Sequence, residues 1–162
     1  MAKMTIKGTD QLEIQLSKLG NKSTEIAKDV VMAGAQPVAD EIRKSLRSLP
    51  VDSLRHLKDG DELNVVTSGG LKDLDDSLGI APPDIDSGGN VNTKIGFDGY
   101  GSYPTKKHPK GLPNPLLARA IESGSSVRKK NPFIRKAVNR SKKKALEAMQ
   151  KKFDEKIEII IG

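Results

Sequence analysis

The feature that most constrains this chain is a basic segment with helical periodicity near its C-terminus. The segment opens with Asn131-Pro132-Phe133, in which asparagine is a good N-cap and proline suits the first helical position. Apolar and small residues then recur at helical spacing, at Ile134, Ala137, Val138, Ser141, Ala145, Ala148, Met149 and Phe153. The pattern predicts a helix over about 132–155, roughly 36 Å long, with one buried stripe.

Positive charge is concentrated in this helix and its lead-in. Residues 128–152 hold eleven Lys and Arg against the single acid Glu147, whereas the whole chain has a net charge of +7. We define the basic surface as Arg128, Lys129, Lys130, Lys136, Arg140, Lys142, Lys143, Lys144, Lys151 and Lys152. Two interpretations stay open, namely a solvated helix face or a surface that meets an acidic partner.

Length and composition predict one domain over residues 1–162 with a modest core. Aromatic residues make up 3% of the chain and tryptophan is absent, so the core must come from aliphatic side chains. The lack of cysteine excludes disulfides and thiolate metal sites. The N-terminus lacks the apolar run of a signal peptide, and no apolar stretch has the length of a membrane span. We expect a soluble protein made in a cytoplasm, with no membrane contact.

The N-terminal third predicts one strand and two helices. Residues 4–7 favour a short strand, and the helix that follows is expected to end at Gly20-Asn21. A second helix is predicted over 23–48 from its apolar period. Pro37 lies inside this run and is expected to kink or split it.

The remainder predicts short strands between long loops. The predicted elements are strands over 63–66, 71–80 and 92–97, and a short helix or strand over 115–121. Residues 84–92 and 99–114 are rich in glycine, proline or polar residues and predict flexible loops. The tail Ile157–Ile161 is β-prone and predicts an edge strand that pairs within the domain or with a neighbouring subunit. The predicted fold is α+β, a small and mostly antiparallel sheet packed against two long helices.

Residue patterns typical of enzymes are missing from this sequence. The two histidines, His56 and His108, have no second ligand at metal-binding spacing. Asp73, Asp75 and Asp76 lack the glycine and the distal glutamate of a calcium loop. The glycine clusters match no phosphate-binding motif, and no nucleophile elbow is present. We therefore expect no enzymatic activity, no metal and no cofactor.

Several short motifs occur in an order shared with a known family. The matching residues, in chain order, are Gly8 with Leu12, the helix of 23–48, Gly70, Leu71, Ser77 and Leu78, Gly96-Phe97, Glu122, Gly124, Ser125 and Ser126, and then Asn131, Pro132, Phe133, Ile134, Arg135 and Ala137. This order resembles the neck, or tail-completion, proteins of long-tailed bacteriophages and prophages, and the resemblance spans nearly the whole chain. Two departures are Lys136, where the family has proline, and a longer segment between Ser48 and Gly70.

This resemblance implies a structural role in the virion. Family members join the head to the tail, so the chain is expected to form a ring, hexameric or dodecameric, with copies of itself. Its partners would be the head-tail connector or stopper protein and the tail tube or tail terminator protein. The ring would stand at the virion neck after assembly in the host cytoplasm, and its basic helix would meet acidic neighbouring rings or packaged DNA.

The motif residues also have direct physical interpretations. Gly124 suits a turn that a Cβ would hinder, and Phe133, one of three phenylalanines, suits the core at the start of the helix. Arg135 and Glu122 predict an ion pair. The rival interpretation is a basic nucleic-acid-binding protein that uses the 128–152 helix. Against the rival, no aromatic residue is interleaved with the basic ones for base stacking, apart from Phe133 at the helix start.

Overall fold

Two antiparallel helices of unequal length, one from each end of the chain, form the frame of the molecule. The structure, a computed structural model, describes residues 9–53, 58 and 60–161, with side chains from residue 18 onward. Its elements are α1 (Thr9–Arg47), α2 (Ser68–Ser77), β1 (Leu78–Ile80), β2 (Asp84–Ile85), β3 (Val91–Asn92), β4 (Ile95–Phe97), α3 (Asn114–Ser123) and α4 (Phe133–Ile161). The architecture is broadly α+β, with four helices in the described residues where two long ones were expected.

The N-terminal helix α1 is continuous, which corrects the prediction of two helices. The chain passes through Gly20-Asn21 and Pro37 without leaving the helix. Ile26, Ala39 and other apolar residues of α1 are buried at helical spacing. This packing outweighs the weak local preference of glycine and asparagine for ending a helix. The strand predicted over 4–7 lies outside the described residues.

The C-terminal helix α4 runs to Ile161, so the prediction of a β-prone tail over Ile157–Ile161 is wrong. The long antiparallel helix α1 lies beside this tail, and Lys156 forms an ion pair with Asp29 of α1. Ile157 and Ile160 are three residues apart and partly buried, as expected on one face of a helix. Helix packing therefore overrides the β propensity of consecutive isoleucines.

In the described residues, the strands form two separate antiparallel pairs in place of the single sheet predicted. Strand β1 pairs with β4, with Gly79 opposite Gly96, and β2 pairs with β3, with Ile85 opposite Val91. The predicted strand over 71–80 is helical up to Ser77, and the predicted strand over 92–97 is divided between β3 and β4. Residues 84–92 form the β2–β3 hairpin.

Three other predicted segments form a set of bridges, a helix and a loop, respectively. Leu63 and Val66 form isolated bridges, Leu63 with Arg128 and Val66 with Val51, where a strand was predicted over 63–66. The segment predicted as helix or strand over 115–121 is helix α3. Residues 99–113 lack helix and strand.

The core lies where the end of α1 meets α2, β1, α3 and the first turns of α4. Its buried members are Ile42, Leu46, Leu49, Val66, Leu74, Leu78, Ala118, Ile121, Phe133 and Ala137. The predicted core position of Phe133 is confirmed, since its side chain is 3% exposed. Its ring lies 6.2 Å from that of Phe97 at a tilt of 54°, a favourable aromatic arrangement. The core therefore holds the start of α4 against β4.

Candidate functional site

The motif residues of the sequence come together at a junction between α3 and α4. Helix α3 ends at Ser123, and its C-cap is Gly124. The φ of Gly124 is 78°, which glycine readily adopts, and its N–H donates to the Ala120 carbonyl. A Cβ on Gly124 would stand 3.1 Å from the Arg128 carbonyl oxygen and from the Lys130 amide nitrogen. The prediction that Gly124 supplies a turn unsuited to a larger residue is confirmed.

Glu122 caps α4, a role predicted for Asn131. The Glu122 carboxylate accepts hydrogen bonds from the Ile134 amide at 2.8 Å and from the Arg135 amide at 3.1 Å. Asn131 instead contributes its backbone, since its N–H donates to the Ile121 carbonyl at 2.8 Å and its carbonyl accepts from the Phe133 amide. Pro132 precedes the first residue of α4 and accepts a bond from the Lys136 amide.

The predicted ion pair between Glu122 and Arg135 is therefore a backbone contact. Arg135 donates its amide to the carboxylate, while its side chain is exposed. A carboxylate at the N-terminus of a helix satisfies otherwise unpaired amides and interacts favourably with the helix dipole. The junction thus links the C-terminal end of α3 to the start of α4 through one side chain.

Arg128, placed on the basic surface by its sequence, has a structural contact. Its guanidinium donates to the Val65 carbonyl at 2.7 Å, and its backbone bridges to Leu63. Partial burial lowers the pKa of Arg128 from its ordinary value, because desolvation disfavours the charged form. Within the described part of the chain, no carboxylate forms an ion pair with this half-buried cation.

The rest of the basic surface is divided between paired and unpaired side chains. Ion pairs join Arg140 to Glu41, Lys143 to Glu147 and Lys152 to Glu155. The other members have exposed side chains and no ion pair with a described residue: Lys129, Lys130, Lys136, Lys142, Lys144 and Lys151. This unpaired group can attract acidic partners by charge.

A cleft lies beside the junction, and the sequence analysis missed it. It has a volume of about 240 Å³ and is lined by Val66, Thr67, Gly70, Asp73, Gly101, Tyr103, Thr105, Leu112, Asn114, Leu117 and Arg128. Ser102 attaches the 99–113 loop to α2 by donating its amide and hydroxyl to Asp73 at 2.7 and 2.6 Å. A sequence signal did exist, because both tyrosines of this aromatic-poor chain, Tyr100 and Tyr103, lie in this loop.

Large apolar side chains are exposed on the C-terminal half of α4. Leu146 is 66% exposed, Phe153 45% and Ile159 78%. The prediction that the buried stripe extends to Phe153 is therefore wrong at that position. Leu146 and Phe153 are seven residues apart and share one face of the helix. Apolar side chains of this size on a basic helix are typical of surfaces that contact other proteins.

The described residues hold no group of three or more His, Asp or Glu side chains placed to bind a metal ion. Their helices include none that is both long enough and apolar enough to cross a membrane. His56 lies outside the described residues, and His108 lies in the 99–113 loop. Comparison of the chain with known protein families, curated proteins and solved structures gives no match.

Proposed function

We propose that this protein is a structural protein of the phage neck, forming a ring that joins the head connector to the tail tube. The proposal rests first on the order of motifs that resembles the tail-completion family. It is carried by one structural observation, namely that the motif residues of 122–137 meet in a single junction. Glu122, Gly124 and Phe133 there act in capping, turning and packing.

A motif that fixes the geometry of a helix junction is typical of a structural protein, which acts through the shape of its binding surfaces. Residues that serve chemistry usually gather around a cleft with exposed reactive groups. In this chain the motif residues instead fix the direction of α4, the helix that displays the unpaired basic residues and the exposed apolar ones. Such a helix is suited to contacts with neighbouring subunits.

The partners follow from the proposed position. Copies of the chain form a hexameric or dodecameric ring through a heterologous interface that closes by rotation. One side of the ring meets the connector or stopper protein, and the other meets the tail tube or tail terminator protein. The basic surface faces acidic neighbouring rings or packaged DNA. The protein assembles in the host cytoplasm and resides at the virion neck.

The test is deletion of the coding sequence from the phage or prophage that carries it, followed by electron cryomicroscopy of the particles. We expect DNA-filled heads and full-length tails that fail to join, with joining restored by the purified protein. Complete joined particles would refute the neck function.

A second candidate function, nucleic-acid binding, is favoured by the six unpaired lysines of the basic surface. It predicts tight binding of the isolated protein to duplex DNA, with an affinity that falls steeply with salt. Binding should weaken when Lys142 and Lys144 are changed to glutamate. The control changes Lys143 and Glu147, which form an ion pair, together to glutamine. It keeps the net charge and should leave binding unchanged. The neck function predicts weak DNA binding by the isolated wild-type protein and by its variants alike.

A further inference from the structure

The cleft beside the junction contains a cation that forms no ion pair with a described carboxylate. Arg128 lines the cleft, half-buried, and one of its N–H groups donates to the Val65 carbonyl. Asp73 also lines the cleft, keeps its negative charge and accepts two hydrogen bonds from Ser102. The N-termini of α2, at Thr67, and of α3, at Asn114, add partial positive charge. An acidic group beside Arg128 is therefore complementary to this part of the cleft.

The same cleft contains a buried acceptor without a partner in the described residues. Asn114 is 3% exposed, and its Nδ2 donates to the Asp98 carbonyl at 2.9 Å. Its Oδ1 has no donor within the described residues, and it faces Gly101, another lining residue. A buried acceptor without a donor is unfavourable. A polypeptide segment can supply N–H donors as well as a carboxylate and an apolar side chain.

The size and walls of the cleft suit one aliphatic side chain. Its volume of about 240 Å³ is below the range of about 300–1,000 Å³ usual for small-molecule sites. Val66, Leu112 and Leu117 contribute apolar walls. Tyr103, 63% exposed, stands at the rim, and exposed tyrosines of this kind often anchor protein interfaces.

The β2–β3 hairpin of the same protein has the complementary chemistry. Ile85 is 44% exposed, and the carboxylates of Asp84 and Asp86 flank it. Asp86 holds the turn in shape by accepting bonds from the Gly88 and Asn90 amides, both at 2.9 Å. The hairpin contributes no residue to the cleft of its own chain. Its apolar and acidic side chains are thus available to a second copy.

We propose that the hairpin of one copy docks in the cleft of the next, with Ile85 against the apolar walls and Asp84 facing Arg128. Hairpin and cleft are different surfaces, so the contact is heterologous and repeats from copy to copy until a ring closes. The inference rests on the ring part of the proposed function and deepens it by naming the contact between copies.

The absence of cysteine from the chain permits a direct test by cross-linking. Ser87→Cys places a thiol at the hairpin tip and Thr105→Cys places one at the cleft, both at exposed positions. Mixing the two variants with a short bismaleimide should give a cross-linked heterodimer, and the double variant should give a ladder of oligomers. Ser126→Cys, exposed in the turn after α3, replaces Ser87→Cys as the control and should give no such product.

Point variants then test the chemistry of the contact. Ile85→Asp should reduce the cross-linking yield about tenfold, as for removal of one buried aliphatic group. The melting temperature of the variant is measured in parallel, so that loss of the contact is distinguished from loss of the fold. Asp84→Arg should reduce the yield as well. Unchanged yields in Ile85→Asp and Asp84→Arg would overturn the proposal, as would equal cross-linking of the Ser126→Cys control.

The two proposals fail separately. Cross-linking through hairpin and cleft, combined with normal joining of heads and tails in the deletion strain, would retain this contact and refute the neck function. Failure of joining in the deletion strain without any hairpin–cleft product would retain the neck function and refute this contact. In that case, loss of head-to-tail joining in the Tyr103→Ala variant would indicate that a different protein binds in the cleft.

Discussion

Replacing Glu122 with alanine removes the side chain that caps the start of α4. The carboxylate accepts from the Ile134 and Arg135 amides at 2.8 and 3.1 Å, and the first turn of α4 contains no acidic residue that could substitute. Ile134 is packed against the core, so its amide has limited access to replacement water. The variant therefore leaves two helix amides without their acceptor.

The magnitude follows from two contributions. Loss of an N-terminal cap costs about 0.5–2 kcal/mol, and removal of a carboxylate from the positive end of a helix costs about 0.3–1 kcal/mol. We expect Glu122→Ala to lower the free energy of unfolding by about 2 kcal/mol, which corresponds to a fall in melting temperature of roughly 4–8 °C for a chain of this length. Glu122→Gln keeps one acceptor oxygen and should lose about half as much.

The assay is thermal and urea unfolding of the purified protein, followed by circular dichroism. Glu158→Ala is the matched control, because it removes an exposed glutamate from the same helix, and we expect a change within about 0.5 kcal/mol. Equal melting temperatures for Glu122→Ala and Glu158→Ala would refute the assignment of Glu122 as the cap. A loss in Glu122→Gln as large as in Glu122→Ala would refute the role of its oxygen atoms as acceptors.

Three further predictions address other parts of the fold. Gly34→Leu should destabilise the protein by about 1–3 kcal/mol, because a Cβ there stands 2.5 Å from the Met149 Cγ, and Met149→Ala in the same chain should relieve part of the loss in calorimetry. Hydrogen bonds from the Asn90 amide and side chain lower the pKa of Asp86 below its ordinary 3.8. The contribution of Asp86 to hairpin stability is therefore present above pH 3.8 and is lost as the pH falls through the lower pKa of the folded state. Asn90→Ala should raise the pKa of Asp86, which an NMR titration would measure. Ser45→Ala should raise the stability by about 1 kcal/mol, since the Ser45 hydroxyl is buried without a partner in the described residues; a lower melting temperature would contradict this.

Several features of the junction could be predicted because they depend on neighbours in sequence. Glycine at position 124 predicts a turn from backbone freedom alone. The Asn131-Pro132-Phe133 triplet predicts a helix start close to that observed, and the helical spacing predicts the buried face that includes Ala137 and Ser141.

The cap and the cleft could not be predicted in the same way. Glu122 and the Ile134 amide are twelve positions apart, and they meet only because α3 turns back at Gly124. Arg128 and Val65 are 63 positions apart in the sequence, and Arg128 belongs to a run of basic residues. No local pattern therefore predicts the hydrogen bond between the Arg128 guanidinium and the Val65 carbonyl. The cleft combines residues from three separate segments, and the tyrosines of the 99–113 loop mark only one of them.

By itself, the sequence determined the periodic helix after Pro132, its concentration of positive charge and the glycine turn at 124, since each depends on backbone preference or charge within a few residues. Only the tertiary structure decided that α1 continues through Pro37, that Ile157–Ile161 is helical and that Glu122 caps α4. Those outcomes depend on which surfaces pack together. Burial of a long helix face against a second helix contributes more free energy than the local preferences of single residues.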